Sequence, residues 1–124
     1  MRAPGGELEA AVMEQLWAAD GALTVRQVWT RLTAARPLAY TTVLTVLHNL
    51  FKKGLVRREV VGRAHAYQAV ASREEHTAEL MAQALAGSAN RPAAFLQFVD
   101  RISAEDLDAL RAALRQAERR QSQP

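Results

Sequence analysis

Apolar residues recur along this chain at helical spacing, broken once by a β-branched stretch. Leu8, Val12 and Leu16 return every four residues with Ala11 beside them, which predicts a helix from about Glu7 to Ala19 with one buried stripe. Glu7 and Glu9 lie in its first turn, where the helix dipole favours acids, and Asp20-Gly21 ends it. After a short extended link at Ala22-Leu23, Val25, Val28 and Leu32 give a second helical face. Thr24 with Gln27 three residues on is a capping box for its start. Pro37 disfavours helix at the residue before it, so this helix ends near Ala35-Arg36. A third helix follows Leu38-Ala39, with Val43, Val46, Leu47 and Leu50 at i, i+3, i+4 and i+7. Lys52 and Lys53 suit its last turn, and Gly54 supplies the stop. Leu55 to Val61 then reads as a strand, Gly62-Arg63 as a turn, and Ala64 to Val70 as the returning strand of a two-stranded ribbon.

The rest is helical. Ser72 and Glu75 form a second capping box for a helix to about Ala86, with Leu80, Met81, Ala84 and Leu85 on its apolar side. Gly87-Ser88 breaks it. A short helix from about Pro92 to Arg101 carries Phe95, Phe98, Val99 and Ile102. Ser103 caps a last helix, with Glu105 and Asp106 in its first turn and Leu107, Leu110 and Leu114 as its stripe. Residues 1–6 read as a frayed tail.

This order predicts a mainly α fold with a small β-hairpin: a winged helix-turn-helix domain over residues 1–71, then a helical dimerisation region over residues 72–124. A winged domain of about seventy residues buries a small core. Three amphipathic helices of roughly fifty residues make no second core easily, so their stripes need a partner. A second copy of the same segment fits, giving a two-fold dimer through Leu80, Met81, Leu85, Phe95, Phe98, Leu107, Leu110 and Leu114. The alternative is a monomer with these helices folded back on the winged domain.

Charge sharpens the picture. From Gly21 to Arg73 there are nine Lys or Arg and one acid, Glu59, so this stretch carries +8, against −3 before it and −2 after it. A basic block of this kind is the footprint of a polyanion-binding surface. With no cysteine, disulfides, thiolate metal sites and cysteine catalysis are excluded. No apolar run reaches the ~18 residues of a membrane span and no signal-peptide pattern opens the chain, which predicts a cytoplasmic protein with no membrane insertion. His48, His65 and His76 lack ligand spacing, no Gly-rich phosphate loop is present, and no catalytic set is visible. No metal, cofactor or enzyme activity is expected.

The third helix has a second, polar stripe: Thr41, Thr45, His48 and Lys52 at i, i+4, i+7 and i+11. The N-terminal half of a helix lying in the major groove reaches base edges. Thr41, Thr42 and Thr45 offer hydroxyls to phosphate and methyls to thymine. His48 and Asn49 suit base edges or phosphate, and Lys52 and Lys53 suit phosphate. Arg63 at the wing tip is placed for a minor groove or phosphate, and Arg26 opens the second helix, whose N-terminus can meet phosphate. Arg57 and Arg58 point to opposite faces of a strand, so at most one faces DNA. Tyr67 is expected to pack against the third helix. For His65, and for Trp17 as core or interface, the sequence does not decide.

With these residues in hand, the chain resembles the penicillinase-repressor family from Leu8 to Leu114. The resemblance rests on EAAVMEQLW, LTVRQVWTRL, YTTVLTVLHNLFKKGLV, HAYQAV and FLQFVDRIS, and on the eleven residues between Trp17 and Trp29. It implies a homodimeric winged-helix repressor of β-lactam-responsive genes that binds a palindromic operator. It also implies a membrane sensor protease that ends repression by cutting an Asn-Phe bond, for which the matching pair is Gln97-Phe98. Two departures stand out. Asn49 replaces a frequent Arg, so the contact carried there is altered or absent, and copper sensing by C-terminal cysteines is ruled out. Two other readings compete. One is a protein-docking winged helix, which the polar stripe disfavours; the other is a DNA-binding regulator that senses a small molecule between the wing and the dimer helices.

Overall fold

In the computed structural model, which describes residues 6–123, three helices begin at the caps the sequence places, Thr24, Ser72 and Ser103. Helix α1 (Gly6–Ala18) is followed by a short strand β1 (Leu23–Thr24), then α2 (Val25–Thr33) and α3 (Tyr40–Lys52). Strands β2 (Val56–Val61) and β3 (Ala64–Ala69) precede α4 (Arg73–Ala86), α5 (Arg91–Val99) and α6 (Ala104–Gln121). Thr24 Oγ1 accepts from the Gln27 N–H at 3.2 Å, while Gln27 Oε1 accepts from the Thr24 N–H at 2.9 Å. Ser72 and Glu75 make the same reciprocal pair at 3.1 and 3.0 Å. Ser103 caps α6 through the Asp106 N–H at 3.0 Å. Each cap satisfies N–H groups that have no partner inside the helix.

Three expectations are corrected. The Ala22-Leu23 link leads into a strand: Leu23 pairs with Tyr67 and Thr24 with Ala66, so the expected two-stranded ribbon is a three-stranded antiparallel sheet ordered β1-β3-β2. Two residues are too few for an alternating pattern to register. Helix α2 stops at Thr33, earlier than expected, because the N–H groups of Ala35 and Arg36 both turn back onto the Leu32 carbonyl. Gly6 already belongs to α1; residues 1–5 of the expected tail lie outside the described residues.

The chain divides into two units, between Ala78 and Glu79. The first holds the whole buried core: Val12, Met13 and Leu16 of α1, Val25, Val28 and Leu32 of α2, Val43, Val46, Leu47 and Leu50 of α3, with Leu23, Val56 and Tyr67 from the sheet. Two indoles pin its chain crossings. Trp29 Nε1 donates to the Leu38 carbonyl at 2.8 Å, closing the turn between α2 and α3. Trp17 is half-buried against the core and donates to the Ala71 carbonyl at 2.9 Å, where β3 gives way to α4. Arg73 reaches Glu14 at 2.6 Å and lies over the Trp17 ring, so the first turn of α4 is tied to α1.

The second unit has a different character. None of α4, α5 and α6 contains a buried residue. Leu80, Met81, Phe95, Leu96, Phe98 and Leu114 are exposed, and Leu85, Leu107 and Leu110 are half-buried. Asn90 caps α5 by accepting from the Ala93 N–H at 3.1 Å.

Two outcomes follow from the first unit. Leu47 is fully buried in the α3 stripe; Leu47→Ala should lower unfolding stability by about 2–5 kcal/mol in urea titration. The Arg73 hydrogen bond holds the Glu14 carboxyl below its usual range, and the backbone N–H of Ser72 does the same for Glu75. Lowered folded values mean stabilisation that is present above the ordinary carboxylate range and lost as pH falls through the lowered values. A Glu14→Gln, Glu75→Gln double variant should therefore lose less stability than wild type on acidification through that window, read by tryptophan fluorescence in urea.

Candidate nucleic-acid interface

The buried stripe of α3 sets which way the helix faces. With Val43, Val46, Leu47 and Leu50 inward, Thr41, Thr42, Thr45, His48, Asn49, Lys52 and Lys53 are all exposed. Tyr40 and Leu44 are also exposed, at 41% and 42%, and sequence reasoning passed over both. The four-residue steps from Tyr40 to Leu44 and from Leu44 to His48 put them beside the polar stripe and were the available signal. The Tyr40 ring meets Trp29 edge-on at 6.0 Å, so its position is tied to the same indole that closes the α2–α3 turn.

The cations are not equivalent. Lys53 Nζ lies 2.8 Å from Glu9 of α1, an exposed ion pair that neutralises part of its charge. Lys52 stands exposed in the last turn of α3. Arg26 is exposed in the first turn of α2. In the hairpin, Val61 pairs with Ala64, leaving Gly62-Arg63 as a two-residue turn. Gly62 has φ +64° and Arg63 does not share a positive φ, the pattern of a II′ turn that needs glycine first. Arg63 is thereby exposed at the wing tip.

The two strand arginines separate as alternation requires. Arg58 is half-buried, its guanidinium 3.9 Å from the centre of the Phe51 ring, tying β2 to the last turn of α3. Arg57 is exposed and donates to Gln68 Oε1 at 3.3 Å. Tyr67 is buried, and its ring meets exposed His65 edge-on at 6.4 Å. Among the described residues no three His, Asp or Glu side chains gather as a metal site, and no helix is long and apolar enough to cross a membrane. A notch between Trp17, Leu55, Val70 and His76 has a volume of about 60 Å³, below the ~300–1,000 Å³ of sites for drug-sized ligands.

A helix-turn-helix pair with an outward hydroxyl, imidazole and ammonium face, beside a hairpin tipped by arginine, defines a winged-helix DNA-binding protein. The chain belongs to the penicillinase repressor family, whose pattern matches residues 5–116. This is a family of transcriptional regulators and not of enzymes. The chain is 50% identical over 116 residues to the transcriptional regulator BlaI in two strains of Mycobacterium tuberculosis, covering 91% of this chain and 84% of the relative. Among solved structures, the similarity to a MarR family protein from Bacillus stearothermophilus has a TM-score of 0.48 at 16% identity, over 98% of this chain and 76% of that one. For MepR, a transcription regulator of the Staphylococcus aureus multidrug efflux pump MepA, the TM-score is 0.48 at 18% identity, over 92% and 78%.

The difference between the two lysines can be measured. Removing one lysine–phosphate pair lowers the slope of log affinity against log salt by about 0.9. Lys52→Ala should reduce the slope by about that amount per protomer, and Lys53→Ala by less, because Glu9 already engages Lys53. Glu9→Gln should strengthen duplex binding. Fluorescence anisotropy across a salt series reads all three.

Proposed function

We propose that this protein is a cytoplasmic, homodimeric transcriptional repressor that binds a palindromic operator. Each protomer lays α3 in the major groove of one half-site, with Arg63 of the wing on a minor groove or phosphate. The carrying observation is α3 itself. One face is locked into the core, and the other offers Thr41, Thr42, Thr45, His48, Asn49 and Lys52 to solvent. Thr45 and Asn49 are the candidates for reading base edges; Lys52, Arg26 and Arg63 serve as phosphate anchors.

Dimerisation through residues 72–124 is supported by three helices without a buried residue and by the exposure of Leu80, Met81, Phe95, Phe98 and Leu114. Leu85, Leu107 and Leu110, half-buried within one chain, complete their burial against the partner. A two-fold dimer presents two α3 helices to half-sites separated by one helical turn, about 34–36 Å, or a multiple of it.

Membership of the penicillinase repressor family supports β-lactam-responsive target genes and release by a membrane sensor protease at Gln97-Phe98. That bond lies inside α5, and Arg101 Nη1 donates to both the Gln97 carbonyl and Gln97 Oε1 at 2.9 Å. Cleavage therefore requires local unwinding of α5. A cut detaches α6 with Leu107, Leu110 and Leu114, and the two readers lose the effective-concentration advantage of being joined.

Footprinting on DNA upstream of the protein's own gene should protect a palindrome. Sedimentation of the full chain at micromolar concentration should give twice the monomer mass. Phe95→Glu should shift it to monomer and weaken palindrome binding by about 100-fold or more, with little effect on a single half-site. A full chain that sediments as a monomer would rule the dimer out.

A further inference from the structure

Among the described residues, Leu44 is the one aliphatic side chain on the outward face of α3. Its neighbours on the helix are the buried apolar residues Val43, Val46 and Leu47, the exposed polar residues Thr41, Thr45 and His48, and exposed Tyr40 one turn before it, whose ring is engaged edge-on by Trp29. It lies three residues after Thr41 and four before His48, so it shares their face and not the core's. It is 42% exposed, while Val43 and Leu47 are fully covered. A solitary exposed leucine on an ordinary surface signifies little. This one sits in the N-terminal half of the helix that faces outward from a basic unit, where side chains meet base edges. Its position is also firm, since Val43 and Leu47 on either side hold the backbone against the core.

What a leucine can recognise in a major groove is narrow. It has no donor or acceptor, so the distinct hydrogen-bond patterns of the four base pairs are closed to it. The single apolar group on those edges is the C5-methyl of thymine. Guanine O6 and N7, or the cytosine amino group, placed against Leu44 would lose water and gain no partner, which costs affinity. We infer that Leu44 is a specificity-determining residue that selects thymine at one position of each half-site by burying its 5-methyl group. Thr41 is then free to use its hydroxyl on phosphate, and Thr45 to use its hydroxyl on a neighbouring base edge. This inference rests on the DNA-reading role proposed for α3.

Deoxyuridine differs from thymidine only by the missing methyl, so it tests the contact atom by atom. Each thymine of the footprinted operator is replaced in turn by deoxyuridine, and binding of the full-length protein is followed by anisotropy. Burial of one such group corresponds to about 0.8 kcal/mol, so wild type should bind roughly fourfold more weakly when the critical thymine of one half-site is replaced. Leu44→Ala, which alters an exposed position and should keep the wild-type circular dichroism spectrum, should bind the unmodified operator more weakly and become indifferent to that replacement. Thr41→Ser and Thr45→Ser, which remove only threonine methyls, should keep the full sensitivity.

Sensitivity that persists in Leu44→Ala would overturn the inference, and its disappearance in either serine variant would assign the contact to threonine. Wild-type protein that binds the operator but ignores deoxyuridine at every position would overturn it while leaving the repressor reading intact. Wild-type protein that binds no duplex at all would overturn both.

Discussion

The rotation of α3 about its own axis is the constraint on which the rest depends. Successive residues of an α-helix are about 100° apart, so a turn by one position would bury hydroxyls and expose the core. Val43, Val46, Leu47 and Leu50 prevent it by packing against α1, α2 and the sheet. Both ends of the helix are held as well. At its start, Trp29 donates to the Leu38 carbonyl and supports the Tyr40 ring. At its end, the Gly54 N–H bonds the Phe51 carbonyl and the Leu55 N–H bonds the Leu50 carbonyl. This is a Schellman stop, for which Gly54 at φ +79° is suited as few other residues are. Arg58 over Phe51 then joins the wing to the same turn. Reader and wing are thus oriented by one small core.

How much of this was legible in the sequence follows from the range of each interaction. Three capping residues, Thr24, Ser72 and Ser103, act over three residues and could be read directly. Both faces of α3 follow from spacing within thirteen residues. The pairings that went unread are distant ones: Glu9 with Lys53, Glu14 with Arg73, and Trp17 with Ala71, separated by 44, 59 and 54 residues. No local pattern announces such partners. Strand β1 was missed for the opposite reason, because two residues carry no period. Leu44 escaped because it belongs to neither the buried nor the polar stripe by spacing; its exposure beside the covered Val43 and Leu47 shows that it faces out.

The distant pairings qualify the charge argument that first pointed to DNA. The basic block is flanked by acids, and two of those acids are spent inside the first unit. Glu9 engages Lys53, and Glu14 engages Arg73. Formal counts therefore overstate the positive potential at those two cations, while Arg26, Lys52 and Arg63 stand exposed on three separate elements. Under the proposed binding mode, phosphate contacts from α2, α3 and the wing would fix the orientation of α3 on a duplex, which the same charge on one helix would do less well.

The division of apolar surface between the two units also bears on how regulation could operate. All the buried core lies in the first unit, and no residue of α5 or α6 belongs to it. The packing that orients α3 therefore does not use the segment proposed to be cut. A break at Gln97-Phe98 leaves Val43, Val46, Leu47 and Leu50 covered as before, so each reader keeps its shape and its affinity for one half-site. In the proposed dimer, a cut there would remove the link between two readers, and with it the avidity gained on a palindrome. Under the proposed mechanism, repression ends by uncoupling two folded readers, and unfolding the DNA-binding domain is unnecessary.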